Sequence, residues 1–196
     1  MSILLVFIDG LGLGGDDSSL NPCADRDLRV AGQTLPATET TELINQGVMK
    51  PIDACLGVEG LPQSATGQAS LLSGINCAAL LGRHLPAFPN GDIRAVLKQH
   101  SLLLQVKKMG EKPLFINTFR PLFFELPKRK KWKLSATTVA TLAAEIDFCT
   151  PADMKAGRSI YHDFTNRELI RKGFDLPEYT PARAAAILAD SLMNND

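Results

Sequence analysis

The sequence predicts an α/β fold in which helices flank a mostly parallel sheet, and three observations predict it. A continuous apolar run at residues 2–8 (SILLVFI) stops at Asp9-Gly10, the pattern of a short strand buried on both faces. A second strand-like run, residues 113–118 (PLFINT), follows two helical stretches, so strand and helix alternate along the chain. With 45% hydrophobic and 21% charged residues, the chain also carries enough apolar material for a sizeable core.

The elements follow in order. After the first run comes a loop rich in Gly, Asp, Ser and Pro, to about Pro22. Residues 36–46 (PATETTELINQ) read as a helix closed by Gly47. Behind Gly67, QASLLSG opens a helix, and NGDIRAVLKQHSLLLQVKKMG reads as one or two amphipathic helices ending at Gly110. Thr165-Asn166-Arg167-Glu168 has the spacing of a capping box, with Gly173 ending that helix. Thr180-Pro181 begins a last helix through ARAAAILADSLM. No internal repeat or low-complexity tract interrupts the series, and the 196 residues (1–196) read as belonging to one domain.

Composition excludes several classes of function. Lys+Arg 21 and Asp+Glu 21 cancel, so no global basic field marks a nucleic-acid or membrane-surface binder. The basic cluster Lys128, Arg129, Lys130, Lys131 and Lys133 around Trp132 reads either as a solvated loop or as a local anion-binding arm. Cys23, Cys55, Cys77 and Cys149 lie far apart and form no CxxC pair, which suggests reduced thiols and a cytoplasmic location. The run at residues 3–8 lacks a basic leading region and is too short to span a bilayer.

Two motifs carry chemistry. In DGLGLGG, residues 9–15, Gly10, Gly12 and Gly15 have dinucleotide-fingerprint spacing, the basis for an NAD-type module as one alternative. That fingerprint needs a helix opening at its third glycine, and DDSSLNP is poor helix sequence. The rival reading places Asp9 at the carboxyl end of the first strand as a hard oxygen ligand for a divalent cation, while the plainest reading is an Asp-Gly turn. In LPQSATGQASLLSG, Ser64 stands three residues before Gly67 where a helix is expected to begin. A hydroxyl there meets the positive end of the helix and suits a phosphoryl acceptor; equally, Ser64 or Thr66 serves only as an N-cap. His84, His100 and His162 read as structural or solvated.

Taken together, FIDGLGLG, LPQSATGQASLLSG, LLGRHLPAFP, SATT and YHDFTN resemble the metalloenzyme branch of the alkaline phosphatase superfamily, which includes phosphopentomutase and cofactor-independent phosphoglycerate mutase. The resemblance implies an alkaline phosphatase-like fold and phosphomutase- or phosphatase-type chemistry on a small phosphorylated substrate. It implies two divalent metals, Mn, Zn or Mg, with Asp9 binding one and Ser64 bridging both as the nucleophile. Thr66 is the reserve nucleophile, and Arg83 and His84 receive no role. The family also carries an Asp-x-x-x-His pair, an Asp-His pair and a further His, and this sequence contains no such pairs. The expectation is therefore the N-terminal portion of such a domain, lacking the C-terminal part of the fold. Its site would be completed by a second chain or further sequence, or it would be a non-catalytic split or truncated half.

Overall fold

The computed structural model describes residues 2–25, 29–30, 33–34, 38–43, 46–125 and 133–193. They fall into two units, Val6–Gly57 and the remainder, Met1–Leu5 with Val58–Asp196.

The mostly parallel sheet does not form. Among the described residues the architecture is mainly helical, with two antiparallel ladders of two strands each. Residues 2–8 form no strand, and Ile3, Leu5 and Ile8 are 79%, 60% and 59% exposed. An apolar run records a tendency to be buried but supplies no partner. A parallel strand needs a neighbour of its own length, and the strands described here are two residues long.

In Val6–Gly57 the ladders are β1 (Arg29–Val30) with β2 (Gln33–Thr34), and β3 (Thr41–Glu42) with β4 (Val48–Met49). The second ladder replaces the helix expected over residues 36–46. Thr41 pairs with Met49 and Glu42 with Val48, and the Leu43 N–H donates to the Gly47 carbonyl at 2.7 Å. Thr41 enters the strand, where a β-branched side chain stiff at χ1 fits the pleat better than it fits a helix. Residues 36–37 and 44–45 of that expectation lie outside the described residues.

The other unit is built from helices. α1 (Ser64–Ser73) starts four residues before the expected Gln68 and stops at Gly74, whose φ of 70° is the left-handed cap glycine accepts. α2 (Cys77–Leu81) is capped by Asn76, whose side chain accepts from the Ala79 N–H. The long amphipathic stretch divides into α3 (Gly91–His100) and α4 (Leu102–Lys108) at Ser101, whose ψ of 141° leaves the helical region. Asn90 caps α3 by accepting from the Ile93 N–H at 3.1 Å. α5 (Pro121–Phe124) starts on a proline, and α6 (Ala136–Ala143) on Ser135, whose Oγ accepts from the Thr138 N–H at 3.2 Å.

α1, α3 and α6 pack together around Ile93 and Leu97, one helical turn apart and both fully buried. Ala69 and Leu72 of α1 and Ala136, Val139 and Ala140 of α6 complete that core. Lys107 of α4 reaches across to donate from Nζ to the carbonyls of Ala144 and Glu145, at 2.7 and 3.2 Å, satisfying oxygens that the end of α6 leaves open.

A second core gathers Met154, Tyr161, Leu169, Tyr179 and Ile187. Its helices are α7 (Pro151–Lys155), α8 (Arg167–Arg171) and α9 (Pro181–Met193). The strand expected at residues 113–118 contracts to two single parallel bridges, Asn117 with Ile160 and Thr118 with Cys149. Between them the buried hydroxyls of Thr118 and Ser159 lie 2.7 Å apart.

The capping box expected at Thr165 belongs elsewhere. Asn166, at a φ of 66°, precedes α8, and Asp163 does the capping by accepting the Glu168 N–H at 2.7 Å. At α7, Asp153 Oδ2 accepts from both the N–H and the hydroxyl of Thr150 at 2.9 and 2.8 Å. The start of α9 is as read, with the Thr180 hydroxyl accepting from the Arg183 N–H at 3.1 Å.

Two tests follow from this packing. Leu97→Ala empties a fully buried leucine site and is expected to cost about 2–5 kcal/mol in urea unfolding. At Asp153, the Thr150 N–H first, then Arg158 and the Thr150 hydroxyl, hold the carboxyl down at about 2. The unfolded chain therefore takes up the proton first as pH falls. The contribution is complete above the unfolded value of about 3.9 and disappears as pH falls through the folded one. Asp153→Ala should cost about 1 kcal/mol at pH 7 and little near pH 2, read by unfolding at both.

Candidate functional site

The sequence-predicted residues divide between the units: Asp9 lies in Val6–Gly57, and Ser64 in the helical unit. Asp9 occupies a turn in which the Leu11 N–H donates to the Ile8 carbonyl at 3.3 Å, with Gly10 at a φ of 77° as the position that needs glycine. The plain Asp-Gly turn is thus present, without the strand the metal reading placed before it. Neither the strand nor the helix that a dinucleotide fingerprint requires is formed by residues 2–25. The Asn21 amide folds back instead, donating to the Gly15 carbonyl at 2.7 Å.

Ser64 is the first residue of a ten-residue helix, which puts it at the positive end of the α1 dipole. Gln63, extended at φ −131° and ψ 147°, sets the entry of the chain and caps with no side-chain hydrogen bond. The two neighbouring hydroxyls are therefore not equivalent. Thr66 is fully buried; its Oγ1 donates to the Gln63 carbonyl and accepts from the Leu85 N–H, each at 3.3 Å. Those two bonds tie the segment after α2 onto α1 and give Thr66 a structural role. The Ala65 N–H, another donor of the first turn, is taken by the Leu85 carbonyl at 3.2 Å. Part of the anion-binding capacity at this helix end is already used internally.

His84 stands beside this joint, with Nε2 3.1 Å from the Val58 carbonyl. A carbonyl oxygen only accepts, so Nε2 carries the proton and pins the incoming loop. His162 places Nε2 3.0 Å from Glu168 Oε2 on an exposed face, and His100 lies exposed in the last turn of α3. Residues 128–132 of the basic cluster lie outside the described residues. Among the described residues, no three His, Cys, Asp or Glu side chains converge as a metal-binding group.

Sequence reasoning missed a cavity of about 500 Å³ in the helical unit. It is the place where SATT and YHDFTN meet: Ser135, Thr137 and Thr138 line it together with Tyr161 and His162. The segment 115–123 forms another wall through Phe115, Phe119, Arg120 and Phe123. Burial raises the Tyr161 phenol above its ordinary value, while the charge of Arg120 pulls it the other way. The aromatic spacing FINTFRPLFF was the available signal, but it is the bridge from Asn117 to Ile160 that brings it beside residues 160–162.

No protein-family model, curated protein or solved structure matches this chain.

Gly67 offers a test of what α1 requires. A Cβ built there meets nothing within 4 Å, and its backbone is helical. Gly67→Ala is expected to raise stability by about 0.5–1 kcal/mol, measured by thermal or urea unfolding, since glycine inside a helix costs backbone entropy.

Proposed function

We propose that this chain takes part in metal-dependent phosphoryl transfer or phosphate-ester hydrolysis, with Ser64 as the nucleophile and Asp9 as a metal ligand. The observation that carries it is the position of Ser64 at the head of α1, where the helix dipole favours negative charge on a serine oxygen and on a phosphoryl group attached to it. The resemblance of the surrounding motif to the metalloenzyme branch of the alkaline phosphatase superfamily supports the same reading. In the transfer, the Ser64 oxygen would bond to phosphorus as the ester's leaving oxygen departs, and the serine proton passes to a base. His84 Nε2 does not take that proton, because it already holds one toward Val58.

The residues present do not by themselves fit a two-metal centre, because each ion of such a pair needs several ligands and no group of three converges among those described. The proposal therefore draws the remaining ligands from a second chain or from sequence beyond these residues. A cytoplasmic location belongs to the same proposal; it is supported by four free cysteines, and no described helix is long and apolar enough to cross a membrane. A second reading, a non-catalytic half of such an enzyme, is favoured by one contact: the Leu85 carbonyl already takes the Ala65 N–H at the head of α1.

The test is intact-mass analysis of the whole protein carrying this chain after incubation with a phosphate monoester and Mn²⁺, Zn²⁺ or Mg²⁺. A mass gain of one phosphoryl group that disappears in Ser64→Ala is expected. No gain, or a gain unchanged in Ser64→Ala, would sink the nucleophile role.

A further inference from the structure

We propose that the cavity bounded by residues 115–123, the first turn of α6 and residues 161–162 is a binding site for a small anion carried on a flat ring, an aryl phosphate or aryl carboxylate. Its volume of about 500 Å³ falls within the range of small-molecule sites. Ser64 does not line it, so this inference stands apart from the phosphoryl-transfer reading.

The ring half of the ligand follows from the aromatic wall. Phe119 and Phe123 lie with centroids 4.4 Å apart and Phe115 6.0 Å from Phe119, all tilted rather than stacked. Phe148 packs against both Phe119 and Phe123, at 4.6 and 5.1 Å, without lining the cavity itself. Rings held from behind in this way offer fixed apolar faces and edges, the surface a flat aromatic ligand matches best.

The anionic half follows from Arg120. Arg120 is a partly buried residue that, among the described residues, makes no salt bridge; its charge acts on the Tyr161 phenol, which lines the same cavity. A partly desolvated cation without an anion is costly, and a carboxylate or phosphate offers it a two-pronged, charge-assisted partner. The opposite wall is polar in the matching sense. Ser135 Oγ lies 2.9 Å from Thr137 Oγ1 and 2.8 Å from Thr138 Oγ1 at the start of α6, where it also caps the Thr138 N–H, so the cavity lining carries a row of hydroxyls. A neutral sugar would satisfy the hydroxyls but not Arg120, and a hydrocarbon would satisfy only the rings.

The test is calorimetric titration of the whole chain with phenyl phosphate and benzoate, set against inorganic phosphate and phenol. Saturable one-to-one binding of phenyl phosphate or benzoate is expected, and whichever binds tighter identifies the anion as phosphate or carboxylate. Inorganic phosphate and phenol should each bind about tenfold or more weaker, because each lacks one half of the match. Arg120→Gln should weaken binding by about tenfold or more, whereas Ser64→Ala should leave it unchanged. An unshifted thermal unfolding midpoint for Arg120→Gln would show that the loss is not misfolding, and Phe119→Leu should weaken the ring-bearing ligands alone. No binding of either ring-bearing anion at millimolar concentration, inorganic phosphate binding as tightly as phenyl phosphate, or full binding by a folded Arg120→Gln would each overturn the proposal.

Discussion

The helical unit depends on one burial event, the exclusion of water from Ile93 and Leu97 on a single face of α3. Both are fully buried, and the surfaces that bury them come from α1 and α6. Two aliphatic side chains of this size supply several kcal/mol of transfer free energy, a large share of what a marginally stable domain has in hand. The same contact determines where the N-terminal ends of α1 and α6 lie. Those two ends carry, respectively, Ser64 and the hydroxyl row of the cavity, so the positions of both candidate sites derive from an interaction that contains no polar atom.

Around that core the polar groups are placed by short-range accounting. A helix leaves its first N–H groups and last carbonyls open; Asn90 answers for α3, Ser135 for α6 and Asp153 for α7 from close by in sequence, while Lys107 reaches the carbonyls at the end of α6 from another helix. This accounting also separates neighbours that look alike in sequence. Thr66 turns inward and spends its hydroxyl on the join to Leu85, while Ser64, two residues earlier, sits where the helix begins. In YHDFTNRE the same logic moves the cap from Thr165 to Asp163, and Glu168 pairs instead with His162 and Lys172.

Helices were the legible part of this sequence. Short-range signals mark individual ends: Gly74 after α1, Asn90 before α3, Gly110 after α4 and Thr180-Pro181 before α9, because each acts within a few residues of the end it marks. The sheet was misread for the converse reason. SILLVFI and PLFINT have strand composition, but a strand exists only if another segment of the chain comes to pair with it, and nothing local reports that. PLFINT finds single bridges to residues 160 and 149, whereas SILLVFI forms no strand.

By itself the sequence determined the balanced charge, the free-standing cysteines, the helix signals, and the juxtaposition of Ser64 with a helix start, all of which rest on composition or near neighbours. Tertiary structure alone decided that the Thr66 hydroxyl is committed to the join with Leu85, that Asp9-Gly10 is a turn, and that Arg120, three phenylalanines and the SATT hydroxyls share one cavity. The physical reason is range. Caps and helical periodicity act over one turn, while this cavity is made by side chains from three separate segments, 115–123, 135–138 and 161–162, whose meeting depends on the packing of the whole unit.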